Sequence, residues 1–176
     1  MAKPFRAAAL AAAIIVCLGV ASAFGQETFR AKLTGFKEVA NTGPTNSPGS
    51  GEFHLTINGD SLTYTLTYTA LSTPVTQAHV HFGEPGVSAG VMFFLCTNLG
   101  NGPAGTPACP ADGGTVTGTI TAASIVGPAG QNVTPGDFAA ALKIIRAGVG
   151  YANVHTTKFP VGEIRGQLAR AEGEDD

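Results

Sequence analysis

The 176-residue sequence contains no tryptophan, three cysteines and only 12% charged residues. With so few lysines and arginines there is no basic stripe, so nucleic acid is not an expected partner. Serines stand in turns without a G-x-S-x-G setting, and the carboxylates are scattered rather than paired. No glycine-rich phosphate loop leads into a helix. Hydrolase and nucleotide chemistry are therefore not expected, and no catalytic residue is assigned. Internal repeats, heptads and long linkers are also missing, which leaves one domain.

The longest apolar run, Ala7 to Val20, is short for a membrane span of about 20 residues. Lys3 and Arg6 precede it and Ala21-Ser22-Ala23 follows, the pattern of a secretory leader over residues 1–23. A lipoprotein site at Cys17 is disfavoured by the bulky Val16 before it. Cleavage would leave a chain from about Phe24, extracytoplasmic (periplasmic or secreted) and without a membrane span. Eight basic residues then face twelve acidic ones, and Glu172, Glu174, Asp175 and Asp176 put four acids in a solvated, disordered tail over 171–176. Cys96 and Cys109 remain, and an even count in an exported chain reads as a disulfide closing a local loop.

What is abundant is glycine, threonine and valine, a composition suited to many short strands joined by turns. Leu62 to Thr69 alternates apolar residues and threonines with a period of two. With Glu52 to Ile57 and the turn Asn58-Gly59-Asp60 it predicts a hairpin over about 51–70. Further strands are expected at Phe29–Leu33, Val75–Phe82, Gly90–Cys96, Gly114–Thr121, Tyr151–Thr156 and Gly162–Leu168. One helix is expected, capped by Thr134, carrying Phe138, Leu142 and Ile145 on one face and stopped at Gly148. Seven or eight strands imply an all-β, antiparallel Greek-key sandwich or barrel, immunoglobulin-like or superoxide-dismutase-like, with one short helix.

Two histidines, His79 and His81, lie one residue apart on an expected strand, so both point to the same face. His155 stands in a second apolar stretch. Three imidazoles at one point would form a copper or zinc site with a position open. The competing reading has the same rings hydrogen-bonded across the sheet. His54 reads as a solvent-facing strand residue, and Glu163 with Arg165 as an exposed pair on one strand face. Tyr64 and Tyr68 read as core, and the threonine rows as a solvated face.

Four ordered segments resemble the CHRD domain, the module named after chordin. They are Leu33-Thr34-Gly35-Phe36-Lys37-Glu38-Val39, Leu62 to Leu66, Ala78 to Gly83, and Tyr151 to Thr156 with Phe159 to Leu168. The resemblance spans about 28–170 and implies an exported binding or scaffold module whose partner is an unidentified protein or small ligand. It supplies no catalytic residues. The stretch His79 to Gly83 is also similar to the copper-binding strand of Cu/Zn superoxide dismutase, with His155 standing for that enzyme's late histidine. No zinc loop, bridging histidine or evident active-site arginine accompanies it. The leading expectation is thus a non-enzymatic binding module, the alternative a mononuclear copper or zinc protein using His79, His81 and His155. A dismutase-like redox enzyme is the distant third.

Overall fold

The computed structural model describes residues 26–39 and 43–171, together with Met1. Residues 2–23 of the expected leader and residues 172–176 of the acidic tail lie outside the described residues. Among the described residues nine strands follow in order: β1 (Glu27–Thr34), β2 (Ser50–Asn58), β3 (Ser61–Thr69), β4 (Val75–Phe82), β5 (Val91–Thr97), β6 (Gly114–Ile120), β7 (Gly150–Thr156), β8 (Ile164–Gln167) and β9 (Ala169–Arg170). One α-helix, α1 (Phe138–Arg146), precedes β7. All pairings are antiparallel, and the sheet order is β5-β4-β7-β8-β1-β2-β3-β6, with β9 alongside β1. The all-β expectation holds, with a two-residue ninth strand added because the chain breaks at Leu168 and resumes along Phe29 and Arg30.

The period of two determines what is buried. Leu62, Tyr64, Leu66 and Tyr68 of β3 are buried, as are Phe53, Leu55 and Ile57 of β2 and Phe29, Ala31 and Leu33 of β1. Ala78 and Val80 of β4, Ala152 and Val154 of β7, and Ile164 of β8 complete the interior from the other side. Burying each large apolar side chain contributes about 1.5–3 kcal/mol. The threonines of β3 and β6 stay outside, facing one another in register as Thr63↔Thr119, Thr65↔Thr117 and Thr67↔Thr115.

The two ends of the sheet, β5 and β6, meet at a seam and make the barrel nearly closed. Tyr64 reaches across from β3, its Oη donating to the Leu95 carbonyl of β5 at 2.5 Å. The Cys96–Cys109 disulfide ties β5 to the loop beside it, with Cα atoms 5.0 Å apart. Tyr68 Oη donates to the Pro110 carbonyl of that loop at 2.7 Å.

The helix cap differs from expectation. Asp137, not Thr134, is the N-cap, accepting from the Ala140 backbone at 2.9 Å. Thr134 to Asp137 is instead a turn: the Asp137 N–H donates to the Thr134 carbonyl at 3.0 Å, and Gly136 has φ +87°. Proline then glycine at the centre is the type II sequence, and that left-handed glycine postpones the helix by three residues. α1 buries Ala141, Ile144 and Ile145 in the same core.

Candidate metal centre

The outer face of the β5-β4-β7-β8 half is where the unusual chemistry gathers. Two bulges on β5 shape it, because Leu95 and Met92 have no partner on β4 while Phe94 pairs with His79 and Phe93 with Val80. Bulges re-aim side chains in this way beside functional sites. Pairing of β4 with β7 sets His79 opposite Asn153, and Gln77 opposite His155. Outer-face residues of the two strands therefore stand opposite one another, and His155, diagonal to His79, arrives beside the first two histidines.

All three rings are buried, at 3% exposure for His79, 7% for His81 and 6% for His155. One ring nitrogen from each lies within 4.8 Å of the others. His81 Nδ1 is 2.9 Å from the Ala89 carbonyl, and His155 Nδ1 is 3.1 Å from the Pro160 carbonyl. A carbonyl only accepts, so each Nδ1 carries its hydrogen and each Nε2 keeps its lone pair. His79 Nδ1 donates to His155 Nε2 at 3.1 Å, a separation close to the ~3.3 Å edge of a tetrahedron with 2.0–2.1 Å bonds. His81 Nε2 is buried with no hydrogen-bond partner among the described residues, and so is His79 Nε2. Burial pushes His79 down to about 2, helped by the neighbouring His155 and His81. Burial also holds His81 and His155 at about 4, against the opposing pull of their carbonyl bonds. The rings are neutral near pH 7, the form that ligates a metal.

Around the trio, other polar side chains are ordered. The Tyr151 ring stacks on His81, 4.7 Å between centroids and 3° from parallel. The Arg165 guanidinium lies 3.4 Å above the Tyr151 ring, with Nη1 donating to the Val87 carbonyl at 2.7 Å and Nη2 to the Glu84 carbonyl at 2.8 Å. The Ala89 N–H donates to Tyr151 Oη at 3.1 Å, and Gln167 Nε2 donates to the Gly83 carbonyl at 2.9 Å. The β4–β5 loop is thus strapped over the site by side chains of β4, β7 and β8. Asn153 Nδ2 donates to Glu38 Oε2 at 2.5 Å and to the Ile164 carbonyl at 2.9 Å. Gly162, at φ +137°, leaves room there, since a Cβ at that position would collide with the Glu38 carboxylate.

The three candidate ligands read from the sequence therefore come together, while His54 stays exposed on the far face. Glu163 and Arg165 do not form the expected surface pair. Both are buried, at 0% and 2% exposure, and they turn to different partners. The Glu163 carboxylate accepts from Ser47 Oγ (2.5 Å), Thr156 Oγ1 (2.6 Å) and the Ser72 N–H (2.8 Å). Burial raises its pKa, but these hydrogen bonds outweigh it and the net shift is downward. Arg165 and Tyr151 were not singled out as site residues. Their place became visible only through the pairings His81↔Tyr151 and Asn153↔Arg165, which no local pattern encodes.

The profile of the CHRD domain matches residues 29–168, most of the chain. The chain belongs to the CHRD family. No curated protein and no solved structure matches it. Among the described residues of this CHRD domain, no helix is long and apolar enough to cross a membrane.

Proposed function

We propose that this CHRD domain works outside the cytoplasm as a binding module that holds one copper or zinc ion through His79, His81 and His155. The leader-like residues 1–23 and the Cys96–Cys109 disulfide support the compartment. The observation that carries the metal reading is the pair of carbonyl-anchored rings, His81 and His155, which with His79 bring one nitrogen each to within 4.8 Å of the others in a buried cluster. A buried nitrogen without a partner costs about 1–3 kcal/mol, and His81 Nε2 is in that position. An ion would satisfy the ring nitrogens that face the cluster. Imidazole donors suit copper and zinc, and three of them leave a coordination position open.

Calorimetric titration of the mature chain with Cu(II), Cu(I) and Zn(II) tests this. One equivalent should bind with sub-micromolar affinity, about 8 kcal/mol or more, and His79→Ala and His155→Ala should each abolish it while His54→Ala leaves it intact. Binding by none of the ions, or binding indifferent to the first two substitutions, would end the metal reading.

A protein-binding role for the same face is favoured by one further observation. Phe36, Val87 and Val161 are exposed, and each lies on a segment that covers the site. Phe36 is two residues before Glu38, Val87 gives its carbonyl to Arg165, and Val161 precedes Gly162. Such exposed apolar residues suit a docking partner.

A further inference from the structure

The metal reading above leaves open which charge state of the ion the centre prefers, and the surroundings of His81 bear on it. The ligand set is uncharged: the cluster comprises His79, His81 and His155, with no carboxylate or thiolate among the described residues joining it. The hydrogens on Nδ1 of His81 and His155 go to backbone carbonyls rather than to carboxylates. A carboxylate there would raise the ring's donor strength and offset part of a dication's charge. A carbonyl does this less.

A buried cation stands close by. Arg165 is 2% exposed and covers one face of Tyr151, whose other face covers His81. The stack puts the guanidinium within about 8 Å of the His81 ring. Its Nη1 and Nη2 bonds go to carbonyls of the β4–β5 loop. The Glu38 carboxylate acts electrostatically on Arg165 and Tyr151 and accepts from Asn153 and from its neighbour Val39. Arg165 also acts electrostatically on His81. The centre is therefore buried and neutral in its donors, with a fixed cation close to one of its rings.

The cost of burying an ion rises steeply with its charge, and a fixed neighbouring cation repels a dication twice as strongly as a monocation. Ligand chemistry alone would rank Cu(II) above Zn(II). Both divalent ions also want a fourth ligand or more, which the cluster does not supply, while three nitrogens satisfy monovalent copper. We infer that the centre prefers Cu(I) over divalent ions, and that Arg165, acting through the Tyr151 stack, is a positioning residue that sets this preference.

The test measures Cu(I) affinity by anaerobic competition with bicinchoninate in the presence of ascorbate, and Cu(II) and Zn(II) affinities by calorimetry. The reduction potential of the copper-loaded domain is read in parallel. Cu(I) should bind at least roughly tenfold more tightly than either divalent ion, with a potential above that of aqueous copper. Arg165→Met should shift the balance toward Cu(II) by roughly tenfold at an effective dielectric of about 20, which is about 59 mV for one electron. Arg165→Lys, which keeps the charge, should hold the potential. If Arg165→Met does not fold, Arg165→Gln, which removes the charge while keeping an N–H donor for the carbonyls of the β4–β5 loop, should lower the potential in the same direction. Divalent binding equal to or tighter than Cu(I) overturns the inference and leaves the metal site standing. A potential unmoved by these substitutions removes Arg165 from the account. No binding by any of the three ions sinks both readings.

Discussion

The two halves of this barrel are built from the same alternating pattern, yet their outer faces differ. On the β1-β2-β3-β6 half, the outward residues of β3 and β6 are mostly exposed threonines, and Thr67 and Thr115 share a hydrogen bond at 2.9 Å. On the β5-β4-β7-β8 half, every residue of β7 is buried, inward and outward alike. The difference lies in what covers the strands. The segment through Glu38, the β4–β5 loop and the β7–β8 loop close over the histidine face, and carbonyls of the two loops become partners for His81, His155 and Arg165. An open face needs only solubility, so threonine suffices. A covered face must satisfy the polar groups it buries, and apart from the Gln167 carbonyl oxygen the unpartnered side-chain atoms among the described residues belong to the histidine cluster.

Acid should separate the two faces most strongly. For the metal-free domain, His81 and His155 are held at about 4 and His79 at about 2, below the ordinary value of 6.5 that the unfolded chain keeps. The unfolded state therefore binds more protons, and stability is full above pH 6.5 and falls as pH drops toward 4. Each of His81 and His155 should cost about 3 kcal/mol across that window. Urea denaturation of metal-free protein at pH 7 and pH 4.5 reads the loss directly. Equal midpoints would mean that the rings are not buried as described.

A single substitution should show the same contrast. Glu163→Ala leaves Ser47, Thr156 and the Ser72 N–H without their acceptor, and should cost about 3–5 kcal/mol of folding stability. The matching loss of an exposed charge, Arg30→Ala, should stay within about 0.5 kcal/mol. Chemical denaturation of the pair would settle whether Glu163 is structural in the way its partners imply.

Where the halves meet, Cys109→Ser should destabilise by about 3 kcal/mol, as expected for a short closed loop, and thermal melting under oxidising and reducing conditions checks it. Smallest of all, Thr65→Ala with Thr117→Ala on the open face should change stability by no more than about 0.5–1 kcal/mol. A larger loss would mean that the threonine face is covered by something.

Much of the fold was legible because β3 and its partners keep a clean period of two, and the His79/His81 pairing of faces follows from that period alone. His155 could be named but not located, since its meeting with His79 depends on the β4–β7 register across 76 residues of sequence. The burial of Arg165 and Glu163 was misread for a related reason. Period two reports alternation between faces but not whether loops cover one of them, and Glu163 precedes β8 rather than lying on it. The helix cap was misplaced because Pro135-Gly136 fits both a helix start and a type II turn, and only the backbone at Gly136 decides between them.

The most direct test of the three-histidine centre is X-ray absorption at the metal edge of the loaded domain, compared with His155→Ala. A three-histidine centre predicts three imidazole nitrogens at about 2.0 Å in the loaded domain, a shell that His155→Ala, having lost the ion, should lack. A shell of oxygens, or a spectrum that the substitution leaves unchanged, would contradict it.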